Sequence, residues 1–267
     1  MIPALRVLLA SWICSQCPAG YSPSAADWRG AWVADVGGVR HVLYLVLRDG
    51  QLGGTYCTEC NHPANLAFVD DGSINAGVLQ FALYYTSSDG AQITAPAAAR
   101  VAGKTLVMTR TLPGGVSDTL DFHRVPAPPP AAAPAARPPA PPRTLAAAAE
   151  TLSVDTVAGL WLSGNGTNKQ YFIFKRHKSG LRGLVCGPCD NPLAFAPLDN
   201  IRLEDTTLHF DIVHEDNGFG FAEHGPFRNL TQARIAMNEM LLSTVASYEP
   251  DAPPFEMTLL GPVQFRP

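Results

Sequence analysis

The chain has six cysteines; Cys14 and Cys17 lie in the N-terminal segment, and the other four form the two repeated Cys-x-x-Cys motifs that are best suited to chemistry. Cys57 and Cys60 form the first motif, and Cys186 and Cys189 form the second, 129 positions later. Two cysteines at this spacing can close a local disulfide, supply half of a four-cysteine zinc site, or act as a thiol–disulfide redox centre. Each chemistry needs a different environment for the sulfur atoms, so the surrounding sequence discriminates among them.

A local disulfide in each motif is the favoured interpretation, because the chain starts with the features of an export signal. Arg6 is followed by the apolar run 7–13, and the small residues Ser24-Ala25-Ala26 precede Asp27. This pattern predicts a signal peptide over residues 1–26 and an exported protein, periplasmic or secreted, in a compartment where disulfides persist. No segment reaches the roughly 18 apolar residues of a transmembrane helix, so none is predicted.

Zinc binding is the main alternative for the cysteines. Four cysteines match the ligand count of a structural zinc site, but one shared site would require the two motifs to meet in space. His62 could instead complete a site with Cys57 and Cys60, although Asn191 stands at the matching position after the second motif. We therefore predict no cofactor, with zinc as the alternative.

Redox chemistry is the other alternative. The second motif, Cys186-Gly187-Pro188-Cys189, is identical to the thioredoxin active-site tetrapeptide. A reactive thioredoxin cysteine lies at a helix N-terminus, where the helix dipole lowers its pKa. The following residues 190–193 show no helical pattern, and Glu59 inside the first motif would oppose thiolate formation. The resemblance ends with the tetrapeptide.

The two motifs are equivalent points of an internal repeat. The offset of 129 holds from Gly30 and Gly159 to Phe81 and Phe210, and it includes Trp32 and Trp161. Beyond a small insertion in the second copy, residues 100–102 align with residues 234–236. A repeat of this length indicates tandem domains. We predict domain 1 over residues 27–125, a Pro/Ala-rich linker over 126–150 and domain 2 over 151–267.

Alternation that both copies share predicts strands and their inward faces. Positions with large apolar residues in both copies should face inwards, and the positions between them should face outwards. The inward set, which would line any cavity, comprises Leu43, Leu45, Leu79, Phe81 and Met108 in the first copy and Phe172, Phe174, Leu208, Phe210 and Leu242 in the second. The outward set includes Tyr44, Val46, Ile173 and Lys175.

Short strands with short turns and no helix-length crossover predict an antiparallel meander. Each copy has about eight strands by this reading; the breaks include Asp71-Gly72, and residues 230–246 form a hairpin that turns at 237–239. The predicted fold is all-β, with two tandem small antiparallel β-barrels joined by the linker, and its layout resembles lipocalin-type barrels. A barrel of this size is filled by side chains or holds one small ligand.

The rest of the sequence indicates little further chemistry. The polar cluster of domain 2 is interpreted as a solvated loop; it comprises His209, Asp211, His214, Glu215, Asp216 and His224. A formal net charge of −4 gives no basic footprint for a nucleic-acid partner. We predict an exported, non-catalytic tandem barrel protein that binds or scaffolds, with a small hydrophobic ligand or a protein as its partner.

Overall fold

Strands joined by short turns make up almost all of the described chain. The structure is a computed structural model, and it describes residues 23–48, 51–60, 62, 65–86, 91–112, 114–126, 144–145, 147–163, 169–189, 191–214, 227–246 and 254–263. Most of the predicted signal peptide and linker, residues 1–22 and 127–143, therefore lies outside the described residues. Within them, no helix is long and apolar enough to cross a membrane.

The first repeat forms barrel 1, which consists of a one-turn helix and eight strands. These elements are α1 (Ala25–Trp28), β1 (Gly30–Val36), β2 (Val39–Arg48), β3 (Gln51–Cys57), β4 (Leu66–Asn75), β5 (Val78–Thr86), β6 (Gln92–Ala102), β7 (Thr105–Thr111) and β8 (Ser117–Arg124). At the start of α1, the Ser24 N–H and hydroxyl both donate to the Asp27 carboxylate, each at 2.8 Å.

The second repeat forms barrel 2 with the same element order. Its elements are α2 (Val154–Val157), β9 (Gly159–Ser163), β10 (Gln170–His177), β11 (Gly180–Cys186), a 3₁₀ helix (Pro192–Ala194), β12 (Phe195–Glu204), β13 (Thr207–His214), β14 (Phe227–Ala236), β15 (Glu239–Ala246) and β16 (Phe255–Val263). The predicted hairpin at 230–246 is confirmed as β14 and β15.

Each barrel is a closed antiparallel meander. Every strand pairs with the next one along the chain, and the last strand returns to the first. Trp32 pairs with Arg124 where β1 meets β8, and Leu162 pairs with Leu260 where β9 meets β16. Closure pairs both edges of the sheet, which would otherwise be open to pairing with other chains. The prediction of two tandem antiparallel barrels is confirmed.

The predicted break at Asp71-Gly72 is wrong, because β4 continues through it to Asn75. The pairing register of β4 with β5 shifts between Asp70 and Ser73, which marks a β-bulge. Asp71 has a φ of 55°, and a Cβ on Gly72 would lie 2.2 Å from the Leu52 carbonyl oxygen. An Asp-Gly pair serves a bulge as well as it serves a turn, since both require backbone that glycine tolerates.

The inward faces of the strands form one apolar core in each barrel. Alternation places every second side chain of a strand inside, as predicted. All ten predicted lining residues are buried inside: Leu43, Leu45, Leu79, Phe81 and Met108 in barrel 1, and Phe172, Phe174, Leu208, Phe210 and Leu242 in barrel 2.

The outward faces of β1–β4 and β9–β12 are buried as well, because the two barrels pack against each other there. The predicted outward set faces outwards, but it is not solvated: the shared cluster contains Tyr44, Val46 and Ile173, and Lys175 is only 5% exposed. Alternation within one strand cannot show that a second barrel covers its outer face.

The contacts between the barrels are reciprocal. The Tyr44 ring of β2 packs edge-on against Phe195 at the start of β12, with ring centroids 6.1 Å apart. Between the equivalent strands β10 and β4, Lys175, which corresponds to Val46 rather than to Tyr44, donates from Nζ to the carbonyl oxygen of Leu66 at the start of β4. Leu66 and Phe195 are equivalent in the repeat, so strand pairs meet as they would in an isologous, two-fold interface.

A buried polar group closes one side of this interface. The Asp70 carboxylate of barrel 1 accepts hydrogen bonds from His177 Nε2, at 2.5 Å, and from Arg182 of barrel 2. Burial alone would raise the pKa of Asp70, but the bond from His177 and the charge of Arg182 outweigh it and lower the pKa. The Ser179 N–H donates to His177 Nδ1, which leaves the ring proton on Nε2 for Asp70.

Candidate functional site

Both Cys-x-x-Cys motifs are disulfides. Cys57 is the last residue of β3 and bonds Cys60, with 5.1 Å between their Cα atoms; Cys186 ends β11 and bonds Cys189, with 5.2 Å. All four residues are buried in the cluster between the barrels. The segment after the second motif forms only the three-residue 3₁₀ helix. The predicted braces are therefore present, and each joins the end of a strand to the loop that follows it.

The other polar residues predicted as candidates are dispersed. His62 is half-buried, and its counterpart Asn191 accepts a hydrogen bond from the Leu193 N–H at 3.1 Å. His209 lies 3.3 Å from Glu204, and Asp211 accepts from Asn200 at 2.6 Å. Glu215, Asp216 and His224 fall outside the described residues. Among the residues that the structure does describe, no three His, Cys, Asp or Glu side chains are grouped to hold a metal ion.

The two ends of each barrel differ in character. We call the end where α1 or α2 packs the helix end, and the opposite end the loop end. At the helix end of barrel 1, Trp32 Nε1 donates to the Trp28 carbonyl oxygen at 2.9 Å. In barrel 2, Trp161 Nε1 donates to the Val157 carbonyl oxygen at 2.8 Å. Both indoles are fully buried, so the repeated tryptophans are core residues that fasten the helix to the barrel.

Among the described residues, a cation covers the repeated tryptophan in barrel 1 and not in barrel 2. The Arg124 guanidinium lies 4.3 Å from the Trp32 ring centroid and donates to the carbonyl oxygens of Asp27 and Arg29. The matching residue of barrel 2 is Gly261, as the backbone hydrogen bonds show. The Arg124 N–H donates to the carbonyl of Lys104, and the Gly261 N–H donates to the carbonyl of Asn238, which is the repeat equivalent of Lys104. A Cβ on Gly261 would lie 3.1 Å from the Trp161 ring, so no side chain fits there without movement.

Five polar side chains meet at the loop end of barrel 1. They lie on the inward faces of five strands and belong to His41, Tyr56, Tyr85, Arg110 and Asp118. Arg110 donates from Nε and Nη2 to the two Asp118 carboxylate oxygens, at 2.8 and 2.7 Å. Arg110 Nη1 donates to the hydroxyl oxygens of Tyr56 at 2.7 Å and Tyr85 at 3.2 Å, and His41 Nδ1 lies 2.6 Å from the Tyr56 oxygen. We call these residues the loop-end cluster.

The charges of the loop-end cluster balance one another. Burial would lower the pKa of Arg110, but its bond to Asp118 reverses the effect, and the same bond lowers the pKa of Asp118. The ion pair is therefore intact at neutral pH. Burial, followed by the charge of Arg110, lowers the pKa of His41, while burial raises the pKa values of Tyr56 and Tyr85. One positive and one negative charge remain beside three neutral rings.

The described residues at the loop end of barrel 2 form no such cluster. Repeat alignment and strand register place Gln170, Val185, His214, Thr244 and Phe255 at the positions of the five cluster residues. The Thr244 hydroxyl bonds Thr231 at 2.9 Å, and the His214 ring stacks on Phe227 with centroids 4.5 Å apart. Burial lowers the pKa of His214 to about 4, so these five positions are uncharged at neutral pH.

The middle of each barrel differs in the size of its side chains. In barrel 2, Phe172 and Phe174 both pack edge-on against Phe210, with centroids 6.5 and 5.5 Å apart, and these rings cross the interior. In barrel 1 the first two positions hold Leu43 and Leu45. The facing wall of barrel 1, on β6, carries the small side chains of Ala95, Ala97 and Ala99, which pair with β5.

Three valines are exposed around the loop end of barrel 1. Val36 and Val39 flank the β1–β2 turn and are 47% and 46% exposed, and Val116 in the β7–β8 turn is 64% exposed. Apolar side chains therefore surround the partly buried polar cluster at this end of barrel 1.

Sequence reasoning missed the loop-end cluster because it relied on residues that the two copies share. Tyr56, Arg110 and Asp118 have no matching polar residue of the same type in the second copy. A usable signal was present: Arg110 continues the inward alternation of Leu106 and Met108, and Asp118 continues that of Leu120 and Phe122. A charged residue in an inward register is a candidate for buried polar chemistry.

Comparisons with known proteins give no family. No protein-family model matches the chain, and no curated protein matches it. A solved structure from Bacteroides fragilis, provisionally described as an outer membrane protein, matches with 9% identity and a TM-score of 0.24, covering 86% of this chain and 93% of that one. A protein of unknown function from the DUF3598 family of Nostoc punctiforme matches with 10% identity and a TM-score of 0.26, covering 88% and 95%. At these values neither similarity adds to the functional argument.

Proposed function

We propose that the protein is an exported, non-catalytic binding protein in which barrel 1 holds a small, largely apolar ligand and barrel 2 supports it. The observation that carries this proposal is the difference between the two interiors. The middle of barrel 1 has one phenylalanine, Phe81, among leucines and the alanines of β6, whereas three phenylalanine rings occupy the middle of barrel 2. A barrel of eight strands has room for one small ligand only where its lining side chains are small.

The disulfides support export. Cys57–Cys60 and Cys186–Cys189 would be kept reduced in an ordinary cytosol, and such bonds persist in oxidising compartments. The described residues also favour binding over catalysis, because the most polar group inside either barrel is an ion pair already satisfied by tyrosine hydroxyls. This ion pair can orient a ligand, and it supplies no nucleophile.

The test is titration of the full chain with N-phenyl-1-naphthylamine, a neutral probe that fluoresces in apolar surroundings. Trp28 and Trp32 in the barrel 1 core serve as energy-transfer donors to the bound probe. Ala97→Leu adds a side chain opposite Phe81 in the middle of barrel 1, and Thr231→Leu is the matched control opposite Phe210 in barrel 2.

We expect the wild type to bind the probe, Ala97→Leu to lose at least about tenfold in affinity, and Thr231→Leu to bind as the wild type does. Circular dichroism establishes that both variants keep their β-structure. A wild type that binds no probe, or an equal loss in both variants, would overturn the assignment of the site to barrel 1.

A further inference from the structure

The hydrogen-bonding state of the loop-end cluster specifies what a ligand must bring to it. The Tyr56 hydroxyl accepts from Arg110, so its own proton is directed to His41 Nδ1, which is an acceptor in the neutral ring. Tyr56 is thereby satisfied as acceptor and as donor. Arg110 and Asp118 satisfy each other through two parallel bonds.

The Tyr85 hydroxyl is an unused hydrogen-bond donor. Its hydroxyl oxygen accepts from Arg110 Nη1, and within the described residues its own proton has no acceptor. The ring packs against the barrel 1 core, on the inward alternation of Leu79, Phe81 and Leu83. Tyr85 is half-buried, so a ligand oxygen placed there could take the place of solvent as the acceptor of this proton.

A second unused donor lies at the helix end of the same interior. The Trp28 side chain is fully buried in the barrel 1 core, and its Nε1 has no hydrogen-bond partner among the described residues. The matching residue of barrel 2 is Val157, which has no donor. Both ends of the barrel 1 interior therefore offer an N–H or O–H and need an acceptor.

The charge of the cluster argues against an anionic ligand. Arg110 is the only cation of the cluster, and its guanidinium is already held by Asp118. A ligand carboxylate would have to displace the Asp118 carboxylate or lie beside it, and two like charges in a partly buried site repel strongly. A neutral ligand meets no such cost.

We infer that the barrel 1 site selects neutral amphiphiles whose polar group is a hydrogen-bond acceptor, such as a ketone, ester or alcohol oxygen, over carboxylates of the same chain length. This inference rests on the proposed function and specifies the ligand class of that same site. The Tyr85 hydroxyl donates a hydrogen bond to the ligand oxygen, and the negative charge of Asp118 repels a ligand carboxylate.

The experiment is displacement of bound N-phenyl-1-naphthylamine from the full chain at pH 7.5 by 2-decanone and by decanoate. We expect 2-decanone to compete at least about tenfold better than decanoate in the wild type. Tyr85→Phe removes only the hydroxyl and should reduce the advantage of 2-decanone over decanoate about tenfold, with both competitors measured against the probe affinity of the variant itself. Tyr84→Phe is the matched control, because the Tyr84 ring packs against His177 outside barrel 1.

Asp118→Asn tests the exclusion of anions directly. It leaves the Arg110 charge uncompensated, so decanoate should gain at least about tenfold while 2-decanone changes little. Equal competition by decanoate and 2-decanone in the wild type, or no change of preference in Tyr85→Phe and Asp118→Asn, would overturn the inference. A wild type that binds the probe but ranks the competitors wrongly defeats this inference alone, whereas a wild type that binds no probe defeats the proposed function.

Discussion

Barrels 1 and 2 have the same strand order, the same disulfide and the same bond from a buried tryptophan to a one-turn helix, yet their ends differ. Barrel 1 has a cation over its tryptophan and an ion pair at its loop end, and barrel 2 has Gly261 and uncharged side chains at those positions. The shared residues maintain the frame, and the residues that differ alter what the interior can accept. A repeat therefore identifies the frame more readily than it identifies the site.

The largest expected effect tests the shared frame. Trp32→Ala and Trp161→Ala each remove a fully buried indole and its hydrogen bond to α1 or α2. Each should lower the free energy of unfolding by about 3–5 kcal/mol, because a large cavity replaces the ring. Urea denaturation followed by circular dichroism measures the loss.

The two tryptophan variants control for each other. A loss confined to one of them would mean that the repeated tryptophans are not equivalent parts of the frame. The conservative variants Trp32→Phe and Trp161→Phe keep most of the buried area and should each lose less than the alanine variant.

The second-largest expected effect is the pH dependence of stability that His214 causes at the loop end of barrel 2. Burial lowers the pKa of His214 to about 4 in the folded state, whereas in the unfolded chain it is near 6.5. The unfolded chain binds the proton first, so the stabilising contribution is complete above pH 6.5 and is lost as the pH falls towards 4. The loss should reach about 3 kcal/mol.

His214→Tyr, which installs the type of residue found at position 85 of barrel 1, should remove this part of the acid sensitivity. Unfolding midpoints of wild type and variant, measured between pH 7 and pH 4, give the difference. Part of the sensitivity should remain, because burial also lowers the pKa of His41 in barrel 1. Identical pH profiles would contradict the placement of a buried neutral His214.

The smallest effect concerns the helix ends. Arg124→Met removes the cation over Trp32 and two hydrogen bonds to backbone carbonyls, and it should cost about 2 kcal/mol. Arg100→Met is the control, since Arg100 is exposed on β6 and should change stability by no more than about 0.5 kcal/mol. Thermal unfolding of both variants is sufficient, and equal melting temperatures would show that the cation contributes nothing.

The strands were predictable because alternation had to hold in both copies. Leu43 and Leu45 could be assigned inwards since Phe172 and Phe174 stand at the same positions. The bulge at Asp71 was not predictable, because an Asp-Gly pair also suits a turn. The helices α1 and α2 were missed, as the aligned repeat was taken to begin at Gly30 and a single turn leaves no periodic signal.

Two other features depend on distant parts of the chain. The burial of Lys175 arises from barrel 1, whose covering residues are more than a hundred positions away in sequence. The loop-end cluster joins five strands, and its residues were individually visible only as polar interruptions of inward faces. Sequence pattern within a strand gives the direction of a side chain, but its neighbours are set by closure of the barrel and by docking of the second one.

The reciprocal contacts between β2 and β12 and between β10 and β4 carry a consequence for stoichiometry. They have the form of a homodimer interface, but both halves belong to one polypeptide. Covalent connection turns the association of two subunits into an intramolecular step with a high effective concentration, so the pair persists at any dilution. In a homodimer, a substitution changes both sides of the interface. Here a substitution in one barrel leaves the other barrel unchanged, so the two surfaces need not be self-complementary. Asp70 can therefore engage His177 and Arg182, although the position equivalent to Arg182 is Gly53.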